Sequence, residues 1–139
     1  MILLDTDVLI DVALDRTPHV EASGALLRWL EAQPPLAFVA WHTLANLSYL
    51  LRPRVGRDGV RHFLSELTRF VTVAPTHTDA FRYAAVLPMA DFEDALQVAA
   101  ADACGARVIA TRNTQDFVHS PVPARTPAQL LVELRSHQR

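Results

Sequence analysis

Hydrophobic residues along the chain follow two alternating patterns. Short, uninterrupted apolar runs predict buried strands at residues 2–4, 36–40, 70–73, 107–111 and 122–125. Longer segments with apolar residues three and four apart predict helices from residue 8, and at about residues 19–33, 43–51, 60–67, 78–87, 92–104 and 127–136. Strands that alternate with helices of this length predict an α/β fold, with a parallel sheet of four to five strands and helices on both faces.

Residues near the helix ends make some of these boundaries specific. Thr126, Pro127 and Gln129 have the spacing of a capping box, so we expect the last helix to begin there. Pro53 and Gly56 predict a break between the third and fourth helices.

Composition narrows the class of protein. The 139 residues predict one domain, 1–139, and half of them are hydrophobic and a fifth charged, as in folded globular proteins. No apolar run has the length of a membrane span, and the first residues lack the pattern of a signal peptide. We therefore expect a cytoplasmic protein.

All thirteen basic residues are arginine. Without lysine there is no Walker-type phosphate loop and no Schiff base. The chain also lacks the lysine that receiver domains and the phosphatases with an initial D-x-D motif require. The single cysteine, Cys104, cannot form an internal disulfide, and the six histidines lack metal-ligand spacing. Any metal must therefore be bound by carboxylates.

Acidic residues follow two predicted strands and begin one helix. Asp5 comes directly after the first strand, Asp116 lies shortly after the fourth, and Asp94 lies at the start of the helix at about residues 92–104. Because the carboxyl ends of parallel strands meet at one edge of a sheet, we expect these three acids to converge there.

Helix capping is the structural alternative for these acids. Thr6 or Asp7 could cap the first helix, and Asp91 and Asp94 fit the N-cap and N3 positions of the later one. For Asp91 we favour the cap. For Asp94 we favour a functional role, because it lies beside the predicted buried stripe of its helix, whereas Glu93 is expected to be solvated. The stripe consists of Phe92, Ala95, Leu96 and Ala99.

Carboxylates held close together repel one another unless a cation lies between them. Mg²⁺ or Mn²⁺ is the expected ion, since hard cations prefer oxygen ligands. Bound by Asp5, Asp94 and Asp116, such an ion could activate a water molecule and stabilise charge on a phosphate, as phosphodiester hydrolysis requires.

Four segments carry a resemblance to a known family. They are LLDTDVLID at the start, the TLANL helix after the second strand, DFEDALQ and ATRNTQDF. Together they resemble the PIN-domain family, the fold of VapC-type toxin ribonucleases, over nearly the whole chain. The resemblance implies a three-layer PIN-like fold and a metal-dependent RNA endonuclease. It also implies that the protein is often homodimeric and that a small antitoxin protein blocks its acidic pocket.

The resemblance also assigns catalytic positions. It places the first family acid at Asp5, the third at Asp94, and the fourth at Asp116 or its neighbour Asn113. The second acid, usually a glutamate, falls on Asn46, which offers a carbonyl oxygen but no charge. We expect Asn46 to have a positioning role and to lower metal affinity, so Asn46→Glu should tighten Mn²⁺ binding.

Two alternatives to an active nuclease remain open at the level of the sequence. The chain could be a PIN fold that has lost activity and serves as a binding or regulatory module, as Asn46 permits. It could also be an α/β interaction domain whose acids only cap helices.

Polar neighbours could support the proposed ligands. Thr6 and Thr111 could hydrogen-bond a ligand carboxylate, although a turn or cap role fits them equally well. Asn113 could orient the turn after the fourth strand, and Asp7 could offset part of the charge that Asn46 lacks.

Several arginines could bind RNA phosphates, although the formal net charge of −2 argues against RNA binding over the whole surface. Four of them surround the predicted break and one adjoins the proposed site: Arg52, Arg54, Arg57, Arg61 and Arg112. Alternatively, these five arginines could be solvated surface residues that do not bind RNA.

Overall fold

The computed structural model describes residues 1–138, so the last residue of the predicted domain 1–139 lies outside the described residues. Within that range the strands are β1 (Ile2–Leu4), β2 (Ala37–Val39), β3 (Val71–Val73), β4 (Val108–Ala110) and β5 (Ala124–Arg125). The helices are α1 (Thr6–Ala13), α2 (His19–Glu31), α3 (Trp41–Leu67), α4 (Thr78–Val86), α5 (Phe92–Cys104) and α6 (Pro127–Ser136). A 3₁₀ turn, Thr114–Phe117, follows β4.

All five strands run parallel in the order β3-β2-β1-β4-β5. In the central strand β1, Leu3 pairs with Phe38 of β2 on one side and with Ile109 of β4 on the other. The chain leaves β1 towards β2 and β3, and later returns to place β4 on the opposite side of β1. The connections after β1 and β4 therefore diverge and leave a crevice at their carboxyl ends, where ligands bind in sheets of this kind.

The sheet separates two apolar cores. Ile2 and Leu4 of β1 face the larger core, which α1, α2, α3 and α6 cover. Leu3 points to the opposite face and packs with Val98 of α5 and Ile109 of β4. This alternation follows the two-residue period of a strand. The predicted three-layer α/β fold is confirmed.

The predicted break between the third and fourth helices is found at Gly56 but not at Pro53. α3 continues through Pro53, and its backbone departs from helical geometry at Gly56, with φ 73° and ψ 172°. Glycine adopts this conformation without the steric penalty of a Cβ atom. As a result, the arginines around residues 52–61 lie on a kinked helix rather than in a loop.

Two expectations for helix starts are also wrong. The first helix begins at Thr6 rather than at residue 8, and Asp5, not Thr6 or Asp7, is its N-cap. Phe92 does not belong to the buried stripe of α5; it is about half exposed and makes an edge-to-face contact with Phe81.

The start of the last helix is as predicted. Thr126 caps α6, and its side chain and that of Gln129 form the reciprocal hydrogen bonds of a capping box. None of the helices in residues 1–138 is long and apolar enough to cross a lipid bilayer.

Candidate active site

A cleft of about 500 Å³ opens at the carboxyl ends of β1 and β4. Six acidic side chains line it: Asp5, Asp7, Asp91, Glu93, Asp94 and Asp116. Thr6, Asn113 and two arginines, Arg16 and Arg54, also line this cleft. The three acids that the sequence predicts to converge therefore open onto one space at the crevice of the sheet.

Asp5 is buried where β1 meets α1, and both of its carboxylate oxygens accept hydrogen bonds. Oδ1 accepts from the backbone N–H of Thr6 (2.8 Å) and from Nε2 of Gln97 (3.1 Å). Oδ2 accepts from the hydroxyl of Thr111 (2.8 Å). Burial, with smaller contributions from the charges of Asp7 and Asp94, raises the pKa of Asp5 to about 7. The fold thus orients this carboxylate while disfavouring its charge.

Asp7 ties the end of β1 to the turn after β4. Its Oδ2 accepts hydrogen bonds from the hydroxyl of Thr111 (3.2 Å), the backbone N–H of Arg112 (3.1 Å) and Nδ2 of Asn113 (3.1 Å). Its Oδ1 is buried and has no hydrogen-bond partner within residues 1–138. Burial raises the pKa of Asp7 above its ordinary value. One oxygen of Asp7 therefore holds the turn in place, whereas the other is buried without a hydrogen-bond partner among residues 1–138.

Gln97 is a site residue that the sequence analysis missed. It is fully buried, and its Nε2 donates to Asp5 Oδ1 (3.1 Å) and to Thr43 Oγ1 (2.9 Å). The sequence pattern did not single out Gln97, because it lies outside the buried stripe that the sequence predicts for this helix. We call this hydrogen-bonded group the floor of the cleft: Asp5, Asp7, Thr43, Gln97 and Thr111.

The outer side of the cleft, which we call the rim, consists of Asp91, Glu93, Asp94 and Asp116. Asp91 caps α5 as predicted, and its Oδ1 accepts from the backbone N–H of Asp94 (3.0 Å). Burial and the charges of Asp91, Asp116 and Glu93 raise the pKa of Asp94 to about 6. Asp116 is exposed on the 3₁₀ turn. The rim concentrates negative charge in a small region.

Asn46 does not reach the cleft as the sequence predicts. It is half-buried in the second turn of α3, and within residues 1–138 it is not among the side chains that line the cleft. Its Nδ2 donates instead to Oε1 of Glu93 (2.9 Å). Glu93 is exposed, as expected, but it faces the cleft and is held by this hydrogen bond.

The arginines divide into two groups. Arg54 lines the cleft, whereas Arg52, Arg57 and Arg61 are exposed elsewhere on α3. Arg112 is not a free surface cation, because its Nε contacts Oδ2 of the fully buried Asp11 (2.6 Å).

No three Asp, Glu, His or Cys side chains in the described range converge as a ready-made metal site. The donors nevertheless suit a hard divalent cation, because they are all carboxylates and the rim acids raise the pKa of Asp94. Mg²⁺ often binds through one or two protein carboxylates while keeping waters and contacting substrate phosphates. Two of the three acids Asp5, Asp94 and Asp116 could hold a cation in this way, with waters and a substrate phosphate completing its ligands.

Comparison with known proteins identifies the family. The model of a PIN-domain family matches residues 1–115. The chain belongs to the PIN-domain family. The matched residues of this PIN domain include the whole floor and three rim acids, and they end one residue before Asp116.

Solved structures share the fold of this PIN domain. VapC20 of Mycobacterium tuberculosis, a sarcin-ricin loop cleaving toxin, is 18% identical with a TM-score of 0.63, covering 78% of this chain and 87% of its own. The Rickettsia felis VapBC2 structure, bound to a DNA fragment from its promoter, gives 18% identity and a TM-score of 0.70. The structure of FitAcB from Neisseria gonorrhoeae is 20% identical with a TM-score of 0.63. Both matches cover 91% of this chain and 98% of the matched chain. No curated protein matches the sequence.

Proposed function

We propose that this PIN-domain protein is an endoribonuclease that depends on Mg²⁺ or Mn²⁺. The observation that carries the proposal is the opening of Asp5, Asp94 and Asp116 onto one cleft at the crevice of the sheet. Carboxylates grouped in this way favour a bound cation, and a cation beside a phosphodiester favours its hydrolysis.

The biological role we propose is that of a toxin with an antitoxin partner, acting in the cytoplasm. Structures of the same fold support it, since one neighbour is a loop-cleaving toxin and another is the VapBC2 assembly on promoter DNA. A small antitoxin that covers the acidic cleft and a homodimeric toxin belong to the same proposal.

Each element of the cleft has a part in the proposed reaction. A divalent cation, when bound, stabilises charge on a phosphate and makes a bound water more acidic. Asp5, Asp94 and Asp116 would hold it. Thr111 and Gln97 keep the Asp5 carboxylate in one orientation through hydrogen bonds of 2.8 and 3.1 Å. Because the Asp5 carboxylate is already oriented, it does not have to reorient during the reaction.

Substrate binding needs positive charge near the acids. Arg54 lines the same cleft and can bind a phosphate with its guanidinium group. Because the rim is acidic, we expect RNA to bind there only when a cation neutralises part of that charge.

The test is cleavage of total cellular RNA by the purified protein with Mn²⁺, with Mg²⁺ and with EDTA. The parent should produce discrete fragments with either metal and none with EDTA. Asp94→Asn should lose at least about 100-fold in rate, since even residues that only support a metal ligand are worth 10- to 100-fold. Asp102→Asn is the matched control, because Asp102 is exposed near the other end of α5.

Two results would overturn the proposal. Fragments that are equally abundant with EDTA would show that the cation is not needed. RNA binding without metal-dependent cleavage would favour the alternative, a PIN fold that serves as a binding module.

A further inference from the structure

We infer that Glu93 supplies the carboxylate that is missing at position 46, where the family usually has a glutamate, and that Asn46 positions Glu93. This inference rests on the proposed metal-dependent function. It gives the proposed metal site of Asp5, Asp94 and Asp116 a fourth acid from the start of α5, in place of one from α3.

The contact between the two residues is specific. Asn46 lies early in α3 and Glu93 in the first turn of α5, and Nδ2 of Asn46 donates to Oε1 of Glu93 at 2.9 Å. Only the amide nitrogen can face the carboxylate, because the amide oxygen would repel it. The hydrogen bond therefore fixes the direction of both side chains.

The arrangement also explains why an acid at position 46 is not needed. Glu93 lines the cleft beside Asp91 and Asp94, whereas Asn46 contacts it from α3. A neutral donor at position 46 can hydrogen-bond the carboxylate of Glu93, as the 2.9 Å contact shows. A glutamate at position 46 would place a second negative charge against the first. Asparagine at position 46 therefore suits glutamate at position 93, because one donates the hydrogen bond that the other accepts.

Electrostatic coupling supports the same placement. The charge of Glu93, with those of Asp91 and Asp116, acts on the carboxyl of Asp94. Glu93 therefore adds to the negative potential at the position where we propose that a cation binds, and its loss should weaken cation binding.

The first experiment measures Mn²⁺ affinity by calorimetry at pH 7.5, without RNA. Glu93→Gln should bind Mn²⁺ about tenfold more weakly, the lower end of the effect of removing a group that supports a metal site. Glu31→Gln is the control, because it removes the same charge from an exposed position at the end of α2. Equal affinities for the two variants would overturn the inference.

A double-mutant cycle tests the positioning role of Asn46. Asn46→Ala should weaken Mn²⁺ binding a few-fold with little change in melting temperature, and it should have no further effect in a Glu93→Gln background. Additive effects would show that Asn46 does not act through Glu93.

The exchanged pair, Asn46→Glu with Glu93→Gln, separates this inference from the expectation based on sequence alone. It keeps one carboxylate and one carboxamide but moves the charge to a position that does not line the cleft, so we expect Mn²⁺ binding about as weak as that of Glu93→Gln. Binding as tight as the parent's, or tighter, would show that position 46 can supply the charge and would contradict the inference.

Asp94→Asn distinguishes failure of the inference from failure of the proposed function. If the parent and Asp94→Asn bind Mn²⁺ equally, the metal site itself is wrong. If Asp94→Asn loses binding while Glu93→Gln keeps it, the proposed function stands and the role of Glu93 is wrong.

Discussion

The two sides of the cleft are built in different ways. On the floor, Asp5 and Asp7 are enclosed by hydrogen bonds from Thr111, Gln97 and the turn after β4. On the rim, Asp94 is surrounded by other carboxylates, and burial together with their charges raises its pKa. The floor is therefore set by folding, whereas we expect the rim to be stabilised when a cation binds.

This difference separates two kinds of residue that a motif does not distinguish. Floor residues control the direction of a carboxylate and the stability of the fold. Rim residues control the local charge, and their effects should depend on metal and pH. Substitutions on the two sides should therefore have different signatures, and the predictions below test that separation.

The largest expected effect concerns the support beneath the floor. Arg112 donates its backbone N–H to Asp7 and its side chain to the fully buried Asp11. Arg112→Ala would leave Asp11 buried without its ionic partner, so we expect a loss of about 3–5 kcal/mol in the free energy of unfolding. Denaturant titration checks this, with Arg52→Ala as an exposed control. An unchanged midpoint for Arg112→Ala would remove this residue from the support of the floor.

The next effect is a pH dependence of stability in EDTA. The pKa of Asp5 is about 7 in the folded protein against 3.8 as its ordinary value, so the folded state retains a proton that the unfolded chain has lost. Stability from this group is complete below about pH 4 and disappears as the pH rises through 7, by at most roughly 4 kcal/mol.

The variant Asp5→Asn tests whether this pH dependence of stability comes from Asp5. Asparagine retains the capping ability of Asp5 and does not ionise in this range, so its stability should fall less between pH 5 and pH 8 than that of the parent. Asp94→Asn should reduce the pH dependence of stability less than Asp5→Asn does, because Asp94 is more exposed than Asp5. Parallel curves for the parent and Asp5→Asn would contradict the assignment of this proton to the floor.

The smallest expected effect concerns the arginine at the cleft. In an Asp94→Asn background, which keeps RNA intact and removes one rim charge, Arg54→Ala should weaken RNA binding a few-fold. It should also reduce the slope of log affinity against log salt concentration by about one, as for the loss of one phosphate contact. Arg52→Ala is the control, since Arg52 does not line the cleft. Equal slopes for the two variants would exclude Arg54 from the RNA contact.

Much of the fold could be predicted because its signals are local. An apolar run followed by Asp5, the cap at Asp91 and the capping box at Thr126 each depend on residues a few positions apart. The convergence of Asp5, Asp94 and Asp116 on one cleft followed from a general property of parallel sheets, and the structure places them there.

The remaining contacts could not be predicted because they join separate elements. Gln97 lies outside the buried stripe that the sequence predicts for α5, and its hydrogen bonds to Asp5 and Thr43 depend on how α5 packs against the sheet and α3. Likewise, the sequence shows an asparagine at position 46 but not the glutamate of another helix that it contacts. Helical periodicity determines the face of a residue, whereas its partner depends on how the helices pack.

The carboxyl of Asp94 provides the most direct test of the contrast between floor and rim. Its titration can be followed by carbon-13 NMR of the labelled protein, with EDTA and then with saturating Mg²⁺. We predict a pKa of about 6 in EDTA and a value well below the ordinary 3.8 with Mg²⁺, because a bound cation stabilises the ionised form. The same pKa under both conditions would contradict the claim that the rim is completed by a divalent cation.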